Sequence, residues 1–198
     1  MSLFARHLIA LCLLCSSAFA AADFSGVPSG KYVLEKTHAY ITFSYSHLGF
    51  SRPHLGFNAF DVTLGLDAKE PTKSSLEVTI DAGSIDSRLE EFNEHLNGPD
   101  FFNTEKFPEI TFVGKEIKPA GDSKFEIVGD LSMMGQTHPA TFVTTINKAA
   151  KHPMKGMDMV GVSAEATISR TQWGLGRYAP AVGDEVSIYV EVEMMREE

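Results

Sequence analysis

Tyr40-Ile41-Thr42-Phe43-Ser44-Tyr45-Ser46-His47 is the stretch that decides the fold class. Ile41, Phe43, Tyr45 and His47 take every second position and Thr42, Ser44 and Ser46 the places between, which is the period of a strand with one face toward a core. The same period runs through most of the chain. Tyr32 to Leu34 form a short run before it. After the break at Arg52-Pro53-His54-Leu55-Gly56 come Phe60, Val62, Leu64 and Leu66, and then Leu76, Val78 and Ile80. Ile110 and Phe112, Phe125 with Ile127 and Leu131, Phe142 with Thr144 and Ile146, Val160 to Ile168, and Val186 to Val192 complete the series. Gly, Pro, Asp and Asn clusters separate these runs, so eight or nine strands at meander spacing are predicted.

One stretch departs from period two. Ser87 to Asn97 reads as a helix with Leu89, Phe92 and Leu96 on one stripe, ended by Asn97-Gly98-Pro99. It lies between two blocks of strands, where it would cap one end of the sheet or lie across its outside. The expected fold class is mainly β and antiparallel, with one short helix between strand blocks; eight or so strands, each with one apolar face, pair as a sandwich or close as a barrel. Closure removes exposed edges, and eight strands leave room for packed side chains or for one small ligand. The chain has 14 Phe, several on the inward parity. Such a lining suits a long apolar guest and a dry core equally well.

Composition narrows the function. The 198 residues carry 17 Lys and Arg against 26 Asp and Glu, a net charge of -9. Nucleic acid is excluded as a partner, because phosphate neutralisation needs a basic surface. Residues 1–21 read as a secretory signal peptide, with Arg6 before the apolar Leu8 to Leu14 and Ala18-Phe19-Ala20 in the small-x-small pattern of a cleavage site. Residues 22–198 are then a single domain, expected in a periplasm-like space. Both cysteines, Cys12 and Cys15, fall in the leader, so the mature chain must be held by its apolar core without disulfides.

Four segments carry a resemblance. They are Thr37-His38-Ala39-Tyr40-Ile41-Thr42-Phe43-Ser44-Tyr45-Ser46-His47, the run from Glu94-His95-Leu96 through Asp100-Phe101-Phe102-Asn103 to Phe107-Pro108-Glu109-Ile110-Thr111-Phe112, the block from Val128 to Thr137, and Ser169-Arg170-Thr171-Gln172-Trp173-Gly174. In this order and spacing the chain resembles the YceI-like family of periplasmic polyisoprenoid-binding proteins. The resemblance decides for closure: it implies an antiparallel eight-stranded lipocalin-like barrel with one short helix between strand blocks, without catalytic activity, and a polyisoprenoid or quinone-like lipid as its guest. It also implies a homodimer; transient membrane contact is a further expectation for a lipid carrier. The ligand-binding side chains expected are Phe43, Tyr45, His47 and Phe60 from the first strands, with Phe92, Leu96 and Phe102 from the helix and the turn after it. Phe112, Met133 and Phe142 would come from the middle of the sheet, and Arg170 and Trp173 from the segment before the last strand. Two features depart from the family pattern near the entrance: the longer, more basic loop Ser51 to Gly56, and Asn97-Gly98-Pro99.

Individual polar residues leave alternatives open. His47 could be satisfied by a carbonyl or by His95, or could meet a ligand head group. Arg170 has the shape to grip a phosphate, or it could pair with an acid. The soft donors His152, Met154, Met157 and Met159 suggest a periplasmic copper-handling protein as the second reading, although the histidines show no tight ligand spacing. A small hydrolase is the third, without a nucleophile elbow, phosphate loop or H-E-x-x-H helix to support it. The exported protein should begin near Ala21 or Ala22 and contain no thiol. Intact mass checks this, and a mass that retains Cys12 and Cys15 would overturn it.

Overall fold

In the computed structural model, which describes residues 24–197, alternation becomes a closed antiparallel barrel. The leader and its two cysteines lie outside the described residues. The strands are β1 (Gly30–His47), β2 (His54–Phe57), β3 (Phe60–Leu66), β4 (Ser75–Asp81) and β5 (Ile85–Asp86), followed by helix α1 (Glu90–Asn97). After the helix come β6 (Glu109–Gly121), β7 (Lys124–Met133), β8 (Gln136–Lys151), β9 (Asp158–Ser169) and β10 (Val182–Arg196). The ring runs β1-β3-β4-β6-β7-β8-β9-β10 and closes where β10 pairs β1. Eight strands therefore make the wall, as the alternation predicts. Two short strands, β2 and β5, extend it at one end, β2 pairing the second half of β1 and β5 pairing β2.

Tyr32–Leu34 and Ile41–His47, two runs in the sequence, are one strand. Leu34 pairs Met194 and Ala39 pairs Val192, so Glu35 to His38 bulge out opposite Glu193 alone. A local network holds this bulge. The Glu35 carboxylate is 8% exposed; it accepts the Thr37 hydroxyl at 2.7 and 2.8 Å and lies 2.9 Å from His38 Nδ1. Bulges bend a strand and raise its twist, which helps β1 reach both of its neighbours.

The two ends of the barrel are filled differently. At the end where β1 begins, Phe24, Val27, Tyr32, Leu66, Phe125 and Val160 are buried and packed together. The Phe24 and Phe125 rings are 6.5 Å apart, and the Tyr32 hydroxyl donates to Pro28 O at 2.7 Å. Segment 24–28 lies so close on β8 that a Cβ on Gly26 would stand 2.5 Å from Ala149 O. Each of these large side chains stabilises the fold by about 1.5–3 kcal/mol on burial, and together they stop the barrel at this end.

Hydrogen bonds from Thr37, and next from His38, hold the Glu35 carboxyl below the ordinary glutamate value of 4.5. A carboxylate lowered in the folded state contributes stability that is fully present above its unfolded value and is lost as pH falls through the folded one. Thr37→Val is therefore expected to lower the urea midpoint at neutral pH and to change it progressively less as pH falls through the lowered folded value and the carboxyl becomes protonated in both states. Paired urea titrations of the two proteins measure this.

Candidate functional site

Above the packed end the barrel is hollow. A cavity of about 310 Å³ runs toward the opposite end, at the lower edge of the ~300–1,000 Å³ typical of ligand pockets. Inward-parity residues make its wall: Ile41, Phe43 and Tyr45 from β1, Phe112 from β6, Met133 from β7, Phe142 from β8 and Ile168 from β9. Aromatic rings pack edge to edge along the wall without filling the interior. Phe112 and Phe142 are 4.9 Å apart at 64°, Phe43 and Phe57 are 5.6 Å apart, and Phe57 meets Phe102 edge-on at 5.8 Å. Gly129 makes room for one of them, since a Cβ there would stand 2.5 Å from the Phe112 ring.

Helix α1 caps the open end rather than lying outside the sheet. Phe92, His95 and Leu96 face the cavity with Phe101 and Phe102 from the following turn. His95 sits between Phe92, stacked at 6.2 Å, and Phe101, edge-on at 4.8 Å. Leu89, expected on the same stripe, is exposed: it is the N-cap, extended and outside the helical turn, so the helical period does not reach it.

Few polar groups reach this space. The Tyr45 hydroxyl lines the cavity, and burial raises its pKa while the Arg170 charge pulls it down; at neutral pH it remains a donor. Thr144 is buried and also faces inward. Neither hydroxyl has a hydrogen-bond partner among the described residues. His47 stands exposed at the rim, its ring free of the carbonyl or His95 partner that the sequence left open.

Arg170 is 9% exposed, in the 3-10 turn Arg170–Trp173 after β9. Its guanidinium is committed to backbone carbonyls. Nε donates to Gly183 O at 2.9 Å, Nη1 to Leu175 O, and Nη2 to Val182 O at 2.8 Å and Arg177 O at 3.2 Å. Neither expected role, head-group grip or ion pair, matches this arrangement: the side chain bolts together the 170–183 loop that joins the neighbouring strands β9 and β10, giving donors to four of its carbonyls, of which Leu175 O is met in a buried hydrogen bond.

Residues 32–194 match the YceI-like domain profile. The chain belongs to the YceI-like family. A UPF0312 protein of Pectobacterium atrosepticum is 31% identical over 187 residues, 94% of this chain and 96% of its own length. The YceI protein of Escherichia coli O157:H7 is 31% identical over 159 residues, 80% and 82% of the two chains. Among solved structures, BcnA of Burkholderia cenocepacia superposes with a TM-score of 0.73 at 21% identity, covering 81% of this chain and 98% of its own. A domain of Saccharophagus degradans described as polyisoprenoid-binding, and implicated in plant cell wall breakdown, superposes at 0.60 with 10% identity over 85% and 99%. At these identities the solved structures share the fold.

Ten of the twelve side chains expected to bind ligand in this YceI-like barrel line the cavity: Phe43, Tyr45, His47, Phe92, Leu96, Phe102, Phe112, Met133, Phe142 and Arg170. Two do not. Phe60 starts β3 just after the Asn58-Ala59 break and lines a separate groove with Leu34, Ala39 and Pro108. Trp173 is buried elsewhere, its indole donating to Leu131 O at 3.0 Å and meeting His138 edge-on at 5.2 Å. Phe57, His95, Phe101, Leu175 and Tyr178 were not anticipated. Phe57 was within reach, since Leu55 and Phe57 alternate, but Gly56 made the segment look like loop.

The Met-rich segment is a turn between β8 and β9. His152 Nδ1 accepts from the Met154 and Lys155 amides at 3.2 and 3.0 Å, Met154 is exposed and Met159 is buried, so the soft donors are divided between solvent and core. Among the described residues one trio of other potential metal ligands lies together, Glu35, His38 and Glu193, at the bulge and away from the cavity.

Arg170→Met should destabilise the fold by roughly 3 kcal/mol, since several buried carbonyls lose a charged donor at once. Arg170→Lys should recover only part of this, a point charge being unable to span diverging acceptors. Urea titration reads both; equal midpoints for wild type and Arg170→Met would remove the bolt.

Proposed function

We propose that this protein binds and carries an extended isoprenoid or similar long-chain lipid inside the barrel, in an exported, periplasm-like compartment, and works by sequestration rather than catalysis. The observation that carries this reading is the cavity itself: an apolar channel stopped at one end by packed side chains and open at the other, with aromatic rings on its wall. An apolar tail entering it would replace water-exposed surface by contact with these rings. The leader in residues 1–21 supports export, and the polyisoprenoid-binding domain that shares the fold supports the class of guest.

The polar groups suggest the head. Arg170 is the one Lys or Arg in the lining among the described residues, and four of its five N–H donors are given to backbone carbonyls. A phosphate brought here would lose hydration and find at most one guanidinium N–H left to accept from. The unpartnered Tyr45 and Thr144 hydroxyls suit an uncharged acceptor, such as a quinone carbonyl, placed toward the open end.

Solvent extraction and mass spectrometry of protein purified from the exported fraction should yield a long-chain lipid with an uncharged head. Phe112→Asp should abolish retention, whereas Phe112→Leu should keep both fold and most of the lipid, since apolar swaps of similar volume typically cost under about 1.5 kcal/mol. Tyr45→Phe should weaken a quinone-headed probe by about 1 kcal/mol and leave a headless probe of the same tail unaffected. Retention unchanged by Phe112→Asp would sink the cavity as the binding site.

A further inference from the structure

At the open end, β1 and β2 join through a turn in which the Phe50 amide donates to His47 O at 3.0 Å. The two residues between, Leu48 and Gly49, both have positive φ, 54° and 74°. A two-residue turn of this hand takes Asn-Gly or Asp-Gly by preference, and a leucine there is strained. Leu48 is nevertheless 52% exposed, and Phe50 beside it is 90% exposed, more than any other large apolar side chain described. Neither belongs to the core. The turn is thus built against local preference to hold two apolar side chains in solvent.

Charge is distributed around this tip in a way the total does not suggest. The chain has 26 acidic residues, yet none lies between Lys36 and Phe60 and none between Ala166 and Gly183. Those two segments meet beside the tip, where the Leu48 amide donates to Ala181 O at 3.1 Å and the Val182 amide to Tyr178 O at 2.8 Å. Tyr178 both lines the cavity and reaches solvent. Arg177 lies 5.1 Å above its ring and pairs with Asp100 at 2.9 Å. Arg52, two residues past Phe50, is exposed and has no hydrogen-bond or ion-pair partner among the described residues.

We propose that the Leu48–Phe50 tip docks the open end of the barrel on an anionic phospholipid surface, so that a lipid moves between bilayer and cavity without crossing water. This rests on the lipid-carrying reading. Apolar tips flanked by arginine and tyrosine match the interface between acyl chains and head groups. The net charge of the whole molecule repels an anionic membrane, and Glu90, Glu91, Glu94 and Asp100 are exposed on the helix side of this end; the tip side of the rim, built from the two segments without acids and carrying the unpaired Arg52, is therefore the edge selected for approach. A stable protein partner would need about 800 Å² from each side, far more than a two-side-chain tip provides, whereas brief membrane contact needs little area.

Two variants of the full exported protein test this. Leu48→Asn places the preferred residue in the turn, and Phe50→Ser changes a side chain with almost no contacts, so both should keep the thermal midpoint of the wild type or raise it. Wild type should float with vesicles of three parts phosphatidylethanolamine to one part phosphatidylglycerol and should be released as salt rises. Each variant should bind these vesicles roughly tenfold less and draw a fluorescent geranylgeranyl probe from them correspondingly more slowly. Affinity for the same probe supplied in solution should not change. Wild type failing to float, or variants floating and extracting like wild type, overturns the proposal; so does a wild-type dimer that the variants convert to monomer with flotation intact, which would assign the tip to a second copy. A probe that none of the proteins binds in solution would instead defeat the carrier reading, while flotation still decides the docking.

Discussion

The pairing of β1 with β10 is the constraint on which the rest of the molecule depends. It joins the first strand to the last, from Tyr32 opposite Arg196 to His47 opposite Val182, and turns an open sheet into a ring. Without it both edges would offer unpaired amides and carbonyls, and the inward faces would close on themselves or on another chain. Its register also sets Ile41 beside Val190 and Phe43 beside Ile188 on the inner wall. The seam tolerates a mismatch in length because Glu35 to His38 are set aside as a bulge, fastened by hydrogen bonds within four residues of chain.

Once the ring is closed, stability and function divide along its axis. The end where β1 begins is filled by Phe24, Tyr32, Phe125 and their neighbours, with the density of an ordinary core. The other half forgoes such packing: rings that could have met across the axis lie along the wall and leave space. An apolar void loses the contacts that filling it would supply. The packed half offsets that loss, and a binding site is maintained at the expense of some stability.

The open end shows how a cation can be structural in a place that invites a functional role. Arg170 has the parity and position of a head-group ligand, but the loop from β9 to its neighbour β10 folds four carbonyls around it. Its charge remains near the cavity and influences Tyr45, while four of its five N–H donors are spent on the backbone. The Tyr45 and Thr144 hydroxyls are left to meet a guest from the wall, and the tip's own cation, Arg52, lies outside. Selection of the guest and approach to its source thereby fall to different surfaces of the same rim.

Period-two alternation from Ile41 to Val192 was enough to determine strand content and most of the inward set, and its interruption at Ser87 to Asn97 marked the helix, because the direction of a side chain on a strand depends only on its neighbours in the chain. The family was legible too, in the spacing of Phe101-Phe102, Phe107-Pro108 and the Gly129 block. Inward parity placed Phe43, Phe112 and Phe142 correctly yet could not tell wall from filling, since both require the same residues. It also misplaced Phe60 and Trp173, which sit where strands break or cross over and alternation no longer reports direction. Tertiary structure alone decided that one end is plugged and the other hollow, that α1 caps the opening, and that Arg170 is bonded to carbonyls from residues five to thirteen positions away. Each of these depends on distances between segments remote in sequence or folded back on one another, and the chain's local preferences carry no information about such distances until the ring has closed.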